Sequence, residues 1–312
     1  MALSISQIVA VSYNDVLNAM RKPENQWSES AFMRELERQG AVKRVAGGPQ
    51  LEATLDYRIN PGTDFLATDM TPTSTSKTEV LTAALYDPAM LSVPLVWSKG
   101  DEAKNPTQNQ KVALAKSLQE NAINSHDETI ESALFSTTTD GFLGLQTLVP
   151  DSGQGTVGGI DASVEIWWRN HSATYASNFS NIVAQMTTAF NTAAKGSGSS
   201  MAPTLIVSNA AAHAGFEGTQ QGLQRYIDTQ EAKAGFKILA FKTARFVFSQ
   251  YATSRIYFLN PKSFTLDVFK DAFRKKGDTI ELPNAEAYVV KIFSALQAKT
   301  NNKSRLAVLT VV

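Results

Sequence analysis

Apolar residues fall at Ile5, Ile8, Val9, Val16, Leu17 and Met20, one face of a helix that Pro23 ends. A shorter amphipathic stretch, residues 28–39, sets Phe32, Met33 and Leu36 on one side and meets Gly40 as a stop. Ser28-Glu29-Ser30 suits its N-cap. These read as short helices joined by polar links, an arm rather than a domain. The period then changes. Residues 51–59 alternate apolar and polar positions as a half-exposed strand does, and residues 75–81 and 91–97 are also strand-like. Between the first two runs lies a Thr-rich reach punctuated by Pro61 and Pro72. Two strands with a long polar tip and few large apolar side chains cannot build a core. They predict a hairpin that projects from the body and needs a neighbour to lie on.

Asn105-Pro106 opens the longest helical pattern: Val112, Leu114, Ala115, Leu118, Ala122, Ile123, Ile130, Ala133 and Leu134 continue without Gly or Pro to Phe135. About 28 residues predict a helix of roughly 42 Å. A Gly-rich loop, residues 152–159, follows. A second helix is expected over residues 178–195, a flexible break at 196–200, a buried strand at 203–208 and a helical piece from 209 toward 226. Short strands are expected at 236–241, 245–249, 255–259 and 264–269, and two long ones at 285–298 and 304–312. No internal repeat is present. The fold class is α+β, with segregated helices and mainly antiparallel strands.

Composition narrows the function. The 312 residues carry 29 basic and 29 acidic side chains, so the formal charge is zero. A protein that lives by neutralising phosphates shows a basic excess. Tight nucleic-acid binding is therefore disfavoured, while little self-repulsion opposes close association of many copies. The absence of cysteine removes disulfides, thiolate catalysis and sulfur-based zinc sites. The first residues lack the charged and apolar regions of a signal peptide, and no run approaches the roughly 20 apolar residues of a membrane span. A soluble protein folded in a reducing cytoplasm, without membrane contact, is expected.

Candidate chemistry is thin. Gly153-x-Gly155-x-x-Gly158 matches the dinucleotide fingerprint by letters, but a Pro-Asp turn precedes it and a β-leaning run follows, so a mobile loop is expected. His126, His171 and His213 are scattered, and His126-Asp127-Glu128 reads as a solvated helix face. The basic cluster at 270–276, ending in Arg274-Lys275-Lys276, reads as a solvated turn. Asn170, Asn178 and Asn302 head sequons without meaning in the absence of secretion. No catalytic residue, metal or cofactor is expected.

There remains Gly158-Gly159-Ile160-Asp161, followed by Trp167-Trp168-Arg169-Asn170. Both rings are core, or one faces inward and the other outward toward a neighbour. Adjacent strand residues face opposite sides, and Trp and Arg are enriched at contact hot spots. The second arrangement is expected, with Trp168 as the ring to test for the outward position.

The ordered set of elements resembles the major capsid proteins of tailed bacteriophages, of the Hong Kong 97 type, over nearly the whole chain. The Gly-Gly-Ile-Asp and Trp-Trp-Arg-Asn stretch carries the resemblance best, with residues 203–208, Gln224-Arg225-Tyr226 and residues 255–264 beside it. The resemblance implies an N-terminal arm at 1–47 and an extended E-loop hairpin at 48–98. It implies a peripheral domain at 99–195 and 285–312, with its spine helix near 106–135, and an axial domain at 196–284. It also implies a shell of hexamers and pentamers enclosing double-stranded DNA by weak non-specific contact, assembled in the host cytoplasm with a portal and a separate scaffolding protein. Candidate subunit contacts are Tyr57, Arg58 and Phe65 on the hairpin and Trp167, Trp168 and Arg169 on the loop. Some members crosslink through a Lys of the E-loop; Lys77 is the Lys of this hairpin, and nothing else supports that chemistry. An encapsulin-like shell or a phage enzyme is the alternative.

Overall fold

The structure, a computed structural model, describes residues 4–20, 30–60, 62, 63, 65, 79–196, 200–220 and 239–312. Lys77, Gln224-Arg225-Tyr226 and most of the expected strand at 75–81 lie outside the described residues.

Two six-stranded sheets organise the chain. The first is built on the 14-residue strand Ala287–Thr300. Ala89–Ser98 pairs antiparallel along one side of it, and Phe264–Phe269, Lys275–Lys276 and Ile280–Glu281 also pair with it. Val42–Val45 joins Phe264–Phe269 in parallel. The second sheet runs in the order Leu239–Phe241, Ala244–Phe248, Leu205–Ser208, Arg255–Leu259, Ala307–Val311, His171–Tyr175. Two of its pairings are parallel, so this sheet is more mixed than the antiparallel expectation.

Helices cover these sheets by their apolar faces. Ile182–Ala194 buries Ile182, Met186, Ala189, Phe190 and Ala193, the spacing of one helical stripe, against Ile206, Phe246, Ile256 and Leu309 of the second sheet. The long helix is Gln108–Leu134, 27 residues, or about 40 Å. It starts at Thr107, whose N–H and hydroxyl both donate to Gln110 Oε1 at 3.4 and 2.7 Å. Pro106 therefore stands ahead of the cap instead of in the first turn.

Three observations bear on the expected division of the chain. The first helix, Ile5–Met20, packs on the body: Ile5, Ile8, Val9, Tyr13 and Val16 pack with Ala115, Ala122 and Ile123 of the long helix and with Leu95, Trp97, Val290 and Ile292 of the first sheet. The hairpin consists of Leu51–Asp56 and Leu81–Tyr86, while Ala89–Ser98 belongs to the first sheet. Boundaries at 195/196 and 284/285 cut through both sheets, because His171–Tyr175 and Ala307–Val311 join the second sheet and Phe264–Phe269 joins the first.

The His126 and Arg274 expectations also fail. His126 is fully buried, with Nε2 at 2.8 Å from Ser294 Oγ and Nδ1 at 2.9 Å from Asp127 Oδ1. The Asp127 carboxylate only accepts, so Nδ1 carries a proton, and Ser294 Oγ, which accepts from the Arg274 backbone N–H at 2.8 Å, still has its own proton to give to Nε2. That makes His126 a neutral imidazole donating from Nδ1, in accord with burial lowering its pKa. Arg274, buried and at φ 53, pairs with Asp127. The local pattern showed charge, but the first sheet folds over it.

Candidate interface at the root of the hairpin

The Gly-rich loop is held by its own glycines. Thr156–Val157 and Ile160–Asp161 form a small hairpin whose turn is Gly158-Gly159, at φ 62 and 80. Positive φ at both central positions is the mark of a type I′ turn. A strand, not a helix N-terminus, follows the glycines, so no pyrophosphate cradle forms.

Gly158 is a seat for the larger hairpin. Its carbonyl accepts the Leu85 N–H at 3.1 Å. A Cβ on it would lie 2.6 Å from the Ala84 Cβ and 3.1 Å from the Tyr86 ring. The buried face of the hairpin, Leu51, Ala53, Leu55, Ala84 and Tyr86, enters the main core, and the Tyr86 hydroxyl donates to the Thr300 carbonyl at 2.7 Å. The hairpin is thus anchored at its root.

The second half of the motif closes the loop around that seat. Arg169 donates from Nε to the Ala162 carbonyl at 2.8 Å and from Nη2 to the Ser163 carbonyl at 2.9 Å. Asn170 Nδ2 donates to the Pro150 carbonyl at 3.0 Å, and Trp168 Nε1 to the Val157 carbonyl at 3.2 Å. Arg169 is therefore committed within its own loop.

Ile166–Trp168 is a 3₁₀ turn, not a strand. About three residues per turn make adjacent rings diverge by roughly a third of a circle. Of the two rings Trp168 is the inward one: it is 1% exposed and sits in the main core, which takes it out of the candidate contacts. Trp167 is the half-buried partner. It stacks on Tyr57 at 4.9 Å between centroids and tilts against Trp168 at 5.6 Å. Val164 and Ile166 beside it are 73% and 70% exposed. An aromatic ladder therefore runs from core to surface, Trp168 to Trp167 to Tyr57, and ends among exposed aliphatic side chains. Arg58 and Phe65 are exposed farther along the hairpin and are not part of this ladder.

No protein-family model matches the chain, and no curated protein sequence is similar to it. Solved structures are. The capsid of cyanophage A-1(L) matches with a TM-score of 0.64 at 13% identity, over 87% of this chain and 90% of that one. The capsid of Myoviridae phage XM1 matches with a TM-score of 0.59 at 13% identity, over 88% and 91%. A virus-like particle from Pyrococcus furiosus matches with a TM-score of 0.55 at 11% identity, over 98% and 100%. The fold is that of the Hong Kong 97-type capsid proteins.

Within this capsid fold, Lys303 is the residue that sequence reading missed. It is fully buried in the turn between the last two long strands, and its Nζ donates to the Gln154 carbonyl at 3.3 Å. Burial lowers its pKa from 10.5 to about 8, against an opposing pull from Asp161. Its sequence context, Asn-Asn-Lys-Ser, carries no sign of burial. The charged folded form is penalised below about pH 8, and the penalty fades as pH rises toward the unfolded value of 10.5. Subunit stability should therefore gain roughly 1 kcal/mol per pH unit across that window from this group alone. Lys303→Met should flatten the slope, as read by denaturant titrations near both ends of the window. An unchanged slope would remove Lys303 as its source. Among the described residues no group of three or more His, Asp or Glu side chains is placed to hold a metal ion.

Proposed function

We propose that this chain is a major capsid protein that self-assembles into the icosahedral head shell of a tailed bacteriophage and encloses its double-stranded DNA. The observation that carries the reading is the fold likeness, which spans about nine tenths of the chain and of the A-1(L) and XM1 capsid chains. The work of such a protein is mechanical. An anchored hairpin and an exposed aromatic ladder supply contact surface for that role.

On this reading the E-loop is the hairpin reaching from about residue 48 to 88. The peripheral domain is the first sheet with its spine helix Gln108–Leu134. The axial domain is the second sheet with helices Ile182–Ala194 and Ala210–Gln220. Hexamers and pentamers arise by closed heterologous contacts, each weak and all repeated. Portal and scaffolding proteins are the other partners, DNA is held by weak non-specific contact, and assembly takes place in the host cytoplasm.

A second reading has one observation in its favour, the end-to-end likeness to the Pyrococcus furiosus virus-like particle: an encapsulin-like container with protein cargo. Overexpression followed by sedimentation and electron microscopy tests both readings. Closed shells are expected. A subunit that stays monomeric under all assembly conditions, with or without scaffold, would falsify both. Particle contents separate them: packaged DNA in infected cells marks the head shell, protein cargo the container.

A further inference from the structure

The long helix Gln108–Leu134 meets the first sheet through two apolar clusters. Ala115, Ala122 and Ile123 belong to one, with Val290 and Ile292; Ile130 and Leu134 belong to the other, with Leu296 and Ala298. At the seam between them the helix presents His126 and the strand Ala287–Thr300 presents Ser294, both fully buried. Buried polar groups cost free energy unless they are hydrogen-bonded. The neighbours satisfy these two in one protonation state only. Nδ1 donates to Asp127 Oδ1 at 2.9 Å, and Nε2 takes the Ser294 hydroxyl proton at 2.8 Å, while Ser294 Oγ accepts the Arg274 N–H at 2.8 Å.

A second proton on the ring breaks this pattern at two points. Nε2 would become a donor toward Ser294 Oγ, whose own proton then loses its acceptor in a buried place. The ring would also become a cation beside Arg274, itself buried, whose guanidinium already pairs with Asp127. Among the described side chains, Asp127 is the carboxylate facing the ring, and it is shared with Arg274. Phe273 meets the ring edge-on at 5.6 Å between centroids. The first helix contributes Tyr13, whose hydroxyl donates to the Arg274 carbonyl at 2.9 Å, with Lys276 Nζ 5.8 Å from the Tyr13 ring centroid. Ala89–Ser98, which also packs against the long helix, carries no ionisable side chain. Burial pushes the His126 pKa below the ordinary 6.5, with Asp127 opposing the shift and Arg274 adding to it. Arg274 sits at φ 53, a sparsely populated conformation for a residue with a side chain. Ser294 and Tyr13 hold its backbone there.

We propose that His126 is an acid-sensitive latch: neutral, it holds the long helix and the Arg274 turn on the first sheet, and charged, it releases them locally while the apolar clusters on either side keep the fold. The latch belongs to the subunit and does not depend on what a shell contains. In the open form the ring is solvated and titrates near 6.5; in the closed form it takes the proton less readily. The closed contact is therefore at full strength above about pH 6.5. It weakens as pH falls below that value, by up to about tenfold in the opening constant per pH unit.

Hydrogen exchange read by mass spectrometry, corrected for intrinsic rates, reports such local opening in subunits or shells. Between about pH 7.5 and about pH 5.5, opening of peptides covering residues 119–131 and 288–296 should rise about tenfold in the wild-type chain. His126→Gln keeps an acceptor for Ser294 and is uncharged at both values, so the rise should vanish there. Burial also lowers the pKa of His171 and His213, so the difference between the two chains, not the wild-type slope, isolates His126. Equal rises in both chains would overturn the latch. Should the variant fail to fold, the wild-type ring itself decides. With three histidines the nitrogen-15 spectrum of histidine-labelled chain is simple. His126 should show a proton on Nδ1 and a bare Nε2 for as long as those peptides stay protected. A ring that takes its second proton near pH 6.5 with the peptides still protected would also overturn the latch.

Discussion

Trp168→Ala is expected to lower the stability of the unassembled subunit by about 3–5 kcal/mol, the range for truncating a large aromatic in a packed core. The ring is 1% exposed, and its Nε1 holds the Val157 carbonyl at 3.2 Å. Its neighbour should behave in the opposite way. Trp167→Ala removes a ring that is half-buried against Tyr57 and bordered by exposed Val164 and Ile166. It should cost the free subunit about 1 kcal/mol or less while reducing particle yield strongly, since surface aromatics of this kind carry contact energy. Melting curves of the unassembled subunit and particle yields by sedimentation read the two effects separately. Equal damage from both variants in both measurements would show that the ladder is core throughout.

Gly158→Ala is expected to release the hairpin from its seat. Two costs combine. An L-residue at φ 62 pays about 1–2 kcal/mol. The new Cβ, 2.6 Å from the Ala84 Cβ, adds overpacking of about 1–3 kcal/mol. Gly159→Ala is the internal control, because φ is 80 there and nothing lies within 4 Å of the new atom. It should pay the backbone cost alone. Hydrogen exchange at the Leu85 amide, which donates to the Gly158 carbonyl at 3.1 Å, should quicken in the first variant and not in the second. Adding Ala84→Gly to Gly158→Ala should restore most of the difference. If the two alanine variants proved equal in stability and exchange, the close approach at Gly158 would have no energetic role.

How much of this was legible beforehand differs from residue to residue. The long helix was readable to within three residues, because its apolar stripe and its lack of Gly and Pro are local properties. Its start was misplaced only because Asn105-Pro106 looks like a cap, while Thr107 and Gln110 make the capping contacts. Gly158-Gly159 could have been read as a hairpin turn from its dipeptide. What it seats could not, since Ala84 and Tyr86 are more than seventy residues away in sequence. The paired tryptophans were placed on a strand, whose period of two sends them to opposite faces; the 3₁₀ turn also makes them diverge, and only the fold decided that Trp168 is the inner ring. His126, Arg274 and Lys303 were read as solvated or passed over, because charge on a chain looks the same whether or not a distant sheet covers it.

The sequence by itself determined the order of elements, their periods, the capped starts and the glycine turn, each a matter of nearest neighbours along the chain. It also determined the neutral, cysteine-free composition that permits many copies to approach. Tertiary structure alone decided which strands share a sheet, which of two adjacent rings enters the core, and which charges are buried. Those outcomes depend on long-range register and on the surfaces that fold over each residue, and no local pattern encodes them.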